Sequence, residues 1–307
     1  MIDVGYLHPS DYSCETRGTE RLSCRWYFRQ KRMERHDRRQ ARVAAISNPH
    51  ESWHNRQARI SSAVERHKCA QEEYMATHSF RFPGETESYP HSRNLLLQAE
   101  GDLRRHAEEV AALRRQLPLG GRIPEDYIFE EGSTDLNDAQ TMIRQVPLSG
   151  LFQPGKDTLA IYSFMFGAKM KAACPMCSSI IDALNATAVH AAQRMNLAVV
   201  AKSPLERLRT FAHERGWNRL RLLSSAGNNY NRDYYGENAE GGQQPSLNVF
   251  VRRNAKIHHF FHSELLLVPS EPGQNQRHVD MIWPLWNLLD FTPEGRGSDW
   301  YPSLTYR

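Results

Sequence analysis

The stretch DTLAIYSFMFGAKMKAACPMCSSIIDALNATAV, residues 157–189, contains the signals that decide the fold. Its first part, Thr158 to Phe166, is nearly continuously apolar and rich in β-formers, which predicts a strand buried on both faces. After a short loop, a Cys-Pro-Met-Cys motif at residues 174–177 opens an amphipathic helix. The apolar side of that helix consists of Ile180, Ile181, Leu184, Ala188 and Ala191. The stretch therefore predicts a strand, a turn with two cysteines, and a helix.

Strand and helix patterns alternate along the rest of the chain. Pro204 and Gly216 suit the first turn and the C-terminal cap of one predicted helix, while Pro284 interrupts the pattern of the last one. The last two strands are joined by a short link, which predicts an antiparallel hairpin. This alternation predicts an α/β fold with a mixed central sheet flanked by helices. Strands are expected at 127–130, 196–203, 220–225, 246–252 and 256–265, and helices at 204–216 and 280–291.

The N-terminal part of the chain has a different character. Residues 1–74 hold 14 Lys and Arg against 10 Asp and Glu and lack apolar periodicity. This composition predicts a disordered basic leader. The alternative is that residues 1–74 are upstream sequence, included because the start of the protein was assigned wrongly. An amphipathic helix is expected over 94–117, capped by Ser92 or Asn94 and ended by Pro118. The apolar stripe of this helix consists of Leu96, Ala99, Leu103, Val110, Leu113 and Leu117. We expect this stripe to pack on the domain that follows. A contact with a second copy of the chain is the less favoured alternative.

Composition and charge restrict the classes of protein to which the chain can belong. Hydrophobic residues make up 40% of the chain, which is enough for a core. The formal net charge of +4 belongs wholly to residues 1–74, so the remainder lacks the basic excess typical of nucleic-acid-binding domains. The sequence contains no recognisable secretory signal and no apolar stretch long enough for a membrane span. We therefore expect a cytoplasmic protein that binds neither nucleic acid nor a membrane.

Two of the five cysteines, Cys174 and Cys177, have the Cys-x-x-Cys spacing. This spacing is compatible with a redox dithiol, half of a zinc site or two inert core residues, and the strand-to-helix context favours the dithiol. At the start of a helix, free N–H groups and the helix dipole stabilise a thiolate, so Cys174 is the predicted nucleophile with the lower thiol pKa. Pro175 suits the first helical position, and Cys177, about one turn on, is the predicted resolving thiol.

Several segments in combination resemble one known family. They are DTLAIYSFMFG, CPMCSS, LAVVAKSPLERLRTFAHERGW, SLNVFVR and LLDFTPEGRG. The sequence resembles the thioredoxin-like domain-of-unknown-function 899 family, whose members are described as predicted dithiol–disulfide oxidoreductases. The resemblance implies a thioredoxin-like three-layer sandwich over 122–307, preceded by an N-terminal extension over 75–121. It also implies the peroxiredoxin-like variety of this fold, in which a long segment, here Gly227–Gly242, follows the active-site helix and precedes the proline strand.

The family has no assigned substrate, so the expected partners follow from the dithiol. We expect a protein or small-molecule disulfide or thiol as substrate, an unidentified reductant and no cofactor, with a homodimer as an open alternative. In the thioredoxin fold a cis-proline faces the Cys-x-x-Cys motif and helps to bind extended substrate, and Pro245 resembles it. Gln244, Pro245, Pro175 and Met176 are therefore the expected substrate-binding residues. A trans bond between Gln244 and Pro245 would count against the thioredoxin-like interpretation of the site.

One departure from thioredoxin concerns proton transfer. The strand before the motif offers no carboxylate that could accept the proton of Cys177. The candidates for this role are Glu264, Asp182 and Tyr162.

Two other functions remain open from the sequence. The alternative is a soft-metal (copper or zinc) binding protein without turnover, in which the dithiol joins His258 or His262. Strand periodicity places these two histidines on one face and His259 on the other. Peroxide reduction is a weaker third hypothesis, because it requires an arginine beside the cysteine and the motif loop contains none.

The change of composition at Met75 leads to a first testable prediction. A chain that begins at Met75 should unfold cooperatively at the thermal midpoint of the full chain, because the preceding residues show no apolar periodicity. Circular dichroism during heating of both chains measures this. A markedly lower midpoint, or loss of solubility, would show that residues 1–74 are structural.

Overall fold

The computed structural model describes residues 81–138, 142–273, 282–292 and 300–305. The predictions made for residues 1–74 lie outside these described residues. The described residues divide into two units between Asp102 and Leu103. Among the described helices, none is both long and apolar enough to cross a membrane.

The described residues form helices and strands in the predicted alternation. The helices are α1 (Tyr89–Gln116), α2 (Pro175–Ala191), α3 (Leu205–Arg215), α4 (Tyr230–Asp233) and α5 (Pro284–Leu289). The strands are β1 (Ile128–Glu131), β2 (Arg144–Pro147), β3 (Thr158–Ser163), β4 (Asn196–Ala201), β5 (Arg221–Ser224), β6 (Ser246–Arg253) and β7 (Lys256–His262). Short 3₁₀ segments occur at Leu148–Leu151 and Glu264–Leu267. The sequence did not predict β2, α4 or the 3₁₀ segments.

The seven strands form one mixed sheet in the order β2-β1-β5-β4-β3-β6-β7. Strands β3, β4 and β5 are parallel, because α2 and α3 return the chain to the same end of the sheet between them. Strand β6 is antiparallel to β3 and forms the predicted hairpin with β7. This arrangement confirms the predicted thioredoxin-like α/β fold, a mixed central sheet with helices packed on it.

The alternation of side chains along β3 builds an apolar core on each face of the sheet. Tyr162 belongs to the cluster that contains Ile180 of α2 and Leu208 of α3. Leu159 and Ile161 belong to the opposite cluster, which contains Tyr230 of α4. All three of these β3 side chains are buried, so the prediction of a strand buried on both faces is confirmed.

Prolines lie in the first turn of α1 and α5, as Pro175 does in α2, rather than interrupting these helices. Helix α1 starts at Tyr89, five residues before the expected position, with Pro90 in its first turn, and it ends before Pro118 as predicted. Helix α5 starts at Pro284, so the prediction that this residue interrupts a longer helix is wrong for the described residues. The reason is the same in both cases. N–H groups in the first turn of a helix have no intrahelical acceptor, so a proline there sacrifices no hydrogen bond by lacking one.

The apolar stripe of α1 is largely exposed. Leu103 is 67% exposed and Leu113 is 64% exposed, and Leu117 just beyond the helix is also exposed. The prediction that the stripe packs on the following domain is therefore wrong at these positions. The less favoured use, a contact with a second copy of the chain, remains a prediction.

Candidate active site

The loop between β3 and the cysteine motif is held by backbone and arginine hydrogen bonds. Beyond the end of β3, the N–H of Cys174 donates to the carbonyl of Met165 at 3.1 Å. Arg207 of α3 donates to the carbonyl of Gly167 at 2.7 Å and to that of Met170, and its guanidinium lies 4.0 Å from the centre of the Phe166 ring. Arg207 thus fixes the loop through its carbonyl groups, since each donor of the rigid fork can satisfy one of them.

The motif lies at the predicted position, at the start of α2. Cys174 is the N-cap residue with extended backbone angles, and Pro175 is the first residue of the helix. The N–H and the hydroxyl of Ser178 both donate to the carbonyl of Cys174, at 3.0 and 2.9 Å. Both thiols are free; Cys174 is partly exposed, whereas Cys177 is only 1% exposed. The dithiol therefore has one sulfur at the surface and one in the core.

Hydrogen bonding gives Cys174 an acidic thiol. The pKa of Cys174 is lowered to about 6, chiefly because the Cys177 thiol donates a hydrogen bond to its sulfur. The backbone N–H groups of Cys177 and Met176 and the hydroxyl of Tyr301 also donate to this sulfur, and partial burial opposes them. The two backbone donors are those expected at a helix N-terminus, where N–H groups have no intrahelical acceptor. The order of the two thiol pKa values is the one expected from the sequence.

Cys177 has the opposite electrostatic character. Its hydrogen bond to Cys174 and its burial raise the pKa of Cys177 well above the ordinary value for a thiol. The hydroxyl of Tyr162 and the N–H of Met165 act in the other direction by stabilising the anion. Cys177 is thus held as a protonated thiol while Cys174 is reduced and ionised.

Of the three candidates for proton transfer, Tyr162 is the one that interacts with Cys177. Asp182 instead accepts a hydrogen bond from Trp217 at 2.7 Å and pairs with Arg215, so its carboxylate is already engaged. Glu264 acts on the histidines of β7. The hydroxyl of Tyr162 is fully buried and approaches the Cys177 thiol without the geometry of a well-formed hydrogen bond. Burial raises the pKa of Tyr162 well above its ordinary value.

Tyr301 is a site residue that sequence reasoning missed. Its hydroxyl interacts with Cys174, and burial together with the two nearby thiols raises the pKa of Tyr301 to about 12. Its side chain is still 52% exposed. No local pattern in the sequence connects a tyrosine near the C-terminus with a cysteine more than one hundred residues earlier.

The predicted cis bond at Pro245 is wrong. The bond between Gln244 and Pro245 is trans, as are all peptide bonds in the described residues. The N–H of Gln244 donates to the carbonyl of Gly236 at 3.0 Å, which holds the chain in an extended path into β6. The trans isomer is the intrinsically preferred one, by about 0.5–1 kcal/mol, and nothing in this path requires the other. By the criterion stated from the sequence, Pro245 no longer supports a thioredoxin-like site, and the dithiol must carry that argument alone.

The start of β6 nevertheless lies at the motif end of the sheet. Ser246 pairs with Ser163, the last residue of β3. Leu247, like Met176, packs against the apolar cluster that includes Cys177. The sequence analysis did not select Gln243, which lies close to Gly167. A Cβ atom added to Gly167 would be only 2.8 Å from the Cγ of Gln243. The structure therefore brings Gln243 against the loop that leads to the motif.

Comparison with known proteins identifies the family. The family described as "Bacterial protein of unknown function (DUF899)" matches residues 80–307. The chain belongs to this family. None of the curated proteins compared with it matches its sequence.

Solved structures that resemble this DUF899 protein have thioredoxin-like folds. One is AhpC of Enterococcus faecalis, with 9% identity and a TM-score of 0.36 over 60% of this chain and 98% of that protein. Another is the reduced 2-Cys peroxiredoxin of Plasmodium vivax, with 15% identity and a TM-score of 0.35 over 53% of this chain and 95% of that one. A third is the exposed lipoprotein thioredoxin Etrx1 of Streptococcus pneumoniae, with 13% identity and a TM-score of 0.30 over 50% and 96%.

The histidines of this DUF899 protein are not arranged as predicted. The register between β6 and β7 shifts at Val249/Phe250, which leaves Phe260 as an extra residue in β7. One extra residue reverses the alternation, so His259 and His262 share a face. Their contacts confirm it: His259 bonds the Asn248 side chain, Asn248 pairs with His262, and the two histidines interact electrostatically.

This arrangement separates His262, one of the two histidines of the soft-metal hypothesis, from the dithiol, and the ladder places His258 level with Thr158, at the end of β3 away from the motif. The shared face of His259 and His262 is that of Phe250 and α4, opposite the face that carries α2 and Cys174. His258 contacts the carbonyl of Gly120 at the sheet edge. Within the described ranges, no three His, Cys, Asp or Glu residues form a group that could hold a metal ion.

Proposed function

We propose that this protein is a thiol–disulfide oxidoreductase that acts through Cys174 and Cys177. The observation that carries the proposal is the asymmetry of the free dithiol. Cys174 is partly exposed with a pKa of about 6, whereas Cys177 is buried with a raised pKa. At neutral pH the accessible sulfur is a thiolate, the form that attacks disulfides. The buried sulfur keeps its proton until the first step is complete.

The reaction follows from these two positions. The Cys174 thiolate attacks one sulfur of a substrate disulfide, forms a mixed disulfide and releases the other sulfur as a thiolate that takes up a proton. Cys177, about one turn along α2, then loses its proton and attacks Cys174, which releases the second substrate thiol. The substrate gains two electrons, and the protein is left with a Cys174–Cys177 disulfide. A thiol reductant returns it to the dithiol.

A protein or small-molecule disulfide is the proposed substrate, and the cytoplasm the proposed location. Substrate would approach Cys174 across Pro175 and Met176, which are both half-buried at the start of α2. Gln244 and Pro245 remain proposed substrate-binding residues through their position near the motif end of the sheet. The N–H of Gln244 is already bonded to Gly236, so strand pairing with substrate through that group is not part of the proposal.

Disulfide reduction by the full chain tests the proposal. With dithiothreitol as the electron source, the protein should accelerate the reduction of insulin or of glutathione disulfide above the rate with dithiothreitol alone. After oxidation of the protein, mass spectrometry should also find that the peptide with both cysteines has lost two hydrogens relative to its reduced form. An unchanged rate with both substrates, together with no Cys174–Cys177 disulfide after oxidation, would refute the function.

Alkylation against pH gives a prediction for the two thiols. Iodoacetamide should label Cys174 with a half-maximal rate near pH 6, because its pKa is lowered to about 6 and only the thiolate reacts. The rate should fall as pH drops below this value and stay level above it. Cys177 should react slowly throughout the neutral range, since its pKa is raised and its side chain is buried.

The two cysteines lie in one tryptic peptide, so fragment-ion mass spectrometry assigns each label. The variants Cys174→Ser and Cys177→Ser serve as matched controls for the assignment. Faster labelling of Cys177 at neutral pH would reverse the proposed roles.

A further inference from the structure

We propose that Tyr162 is a catalytic residue whose hydroxyl donates a hydrogen bond to the Cys177 sulfur and stabilises the thiolate that forms there. This inference rests on the proposed function, because it concerns the second step of that reaction. It is carried by the position of Tyr162 in the sheet, by the interaction between its hydroxyl and Cys177, and by the lack of a nitrogen or oxygen partner for that hydroxyl among the described residues.

The backbone fixes Tyr162 beneath the motif. In β3 it pairs with Val199 of β4 on one side and with Leu247 of β6 on the other, so the residue lies in the centre of the sheet. Its side chain is fully buried in the cluster that also contains Cys177 and Ile180. A side chain held by two strands and a packed core has little freedom to turn away from Cys177.

The hydroxyl of Tyr162 has no nitrogen or oxygen partner within the described residues. Buried hydroxyl groups are normally hydrogen-bonded, so an unpartnered one requires an explanation. The groups that act on it electrostatically are Cys177, Cys174 and Tyr301, with Cys177 the strongest of the three. A hydroxyl hydrogen rotates freely, and a thiolate accepts hydrogen bonds better than a neutral thiol does. The interaction should therefore tighten when Cys177 ionises.

Tyr162 is a hydrogen-bond donor and not a base. Burial raises the pKa of Tyr162 well above its ordinary value, so the hydroxyl keeps its proton throughout the reaction. When the mixed disulfide is resolved, the proton of Cys177 passes to the departing substrate thiolate or to water. Tyr162 and the N–H of Met165 then stabilise the charge left on the Cys177 sulfur. In the reverse direction the same donors stabilise Cys177 as the leaving thiolate.

The test separates the two chemical steps. Dithiobis-nitrobenzoate releases one coloured thiolate when Cys174 attacks it and a second when Cys177 resolves the mixed disulfide. The parent protein is the full chain with Cys14, Cys24 and Cys69 replaced by serine, so that only the motif reacts. In Tyr162→Phe, the second release should be slower by about tenfold or more, which corresponds to loss of a hydrogen bond to a charged group. The first release should change little.

A pH profile distinguishes a chemical role from a structural one. The rate of the second release should rise with pH, and its midpoint should lie higher in Tyr162→Phe, because the Cys177 thiolate has lost a donor. The matched control is Tyr230→Phe, which removes the hydroxyl of another fully buried tyrosine in the cluster on the opposite face. Both releases should be unchanged in that control. Thermal midpoints of the two variants should not fall below that of the parent, since each substitution removes a buried hydroxyl that has no well-formed hydrogen bond among the described residues.

Each outcome bears on a different claim. Equal second-release rates and midpoints in the parent and Tyr162→Phe would overturn the role of Tyr162. Equal slowing of both releases would do the same, since it would indicate a general disturbance of the site. Absence of any second release from the parent would instead refute the proposed function itself, because the dithiol would then not close.

Discussion

Replacing Cys174 with serine should abolish disulfide reduction, with a loss of roughly a thousandfold or more in rate. A serine hydroxyl is not ionised near neutral pH, whereas the hydrogen bonds around Cys174 keep its pKa at about 6. The reaction would therefore lose its nucleophile and not merely a supporting contact. The rate of insulin reduction by the full chain, measured with dithiothreitol as reductant, gives the comparison.

The matched variant is Cys177→Ser, which keeps the nucleophile and removes only the resolving thiol. It should still attack a substrate disulfide and then accumulate a mixed disulfide at Cys174, visible as a mass increase under non-reducing conditions. Turnover should be nearly lost in both variants, but only Cys177→Ser should trap substrate. Trapping by Cys174→Ser in place of Cys177→Ser would mean that the buried cysteine attacks first.

The sequence was a good guide wherever a signal was local. The apolar run of β3, the Cys-Pro start of α2 and Gly216 at the end of α3 each depend on residues within one or two turns of chain. Gly216 has φ of 71°, the left-handed conformation that favours glycine at a helix end. Because consecutive local signals alternated between strand and helix, a sheet flanked by helices could be predicted, whereas the order of its strands came only from the structure.

The failures share a different cause. Tyr301 reaches Cys174 only through tertiary structure, and the bulge in β7 depends on how β7 registers against β6. Strand β2, with the sequence RQVP, has no apolar alternation. It forms because its backbone pairs with the free edge of β1. The expected cis bond at Pro245 came from family resemblance, whereas the hydrogen bond from Gln244 to Gly236 decides the path of this chain. Long-range contacts of this kind leave no periodic trace in a sequence.

The second large effect concerns the stability of the sheet that carries the site. Glu131 at the end of β1 is only 3% exposed and accepts two hydrogen bonds from Arg221 of β5, at 2.6 and 2.8 Å. Glu131→Ala should lower the free energy of unfolding by about 3 kcal/mol, because it leaves a guanidinium without its buried partner. We expect the low end of the range for broken buried pairs, since the Arg221 side chain is 23% exposed and can reach water.

A surface pair provides the control for this prediction. Asp157 is bonded to Arg252 at 3.0 Å with its side chain 55% exposed, so Asp157→Ala should cost less than about 1 kcal/mol. Thermal unfolding followed by circular dichroism should show a midpoint about 6–12 °C lower for Glu131→Ala and a shift of no more than about 4 °C for Asp157→Ala. Equal shifts in the two variants would contradict the prediction, because burial would then add nothing to the ion pair. A large shift confined to Glu131→Ala would instead show that this buried carboxylate helps to hold β1 against β5. Its ion pair would then supplement the short ladder between the two strands, which has only two residue pairs.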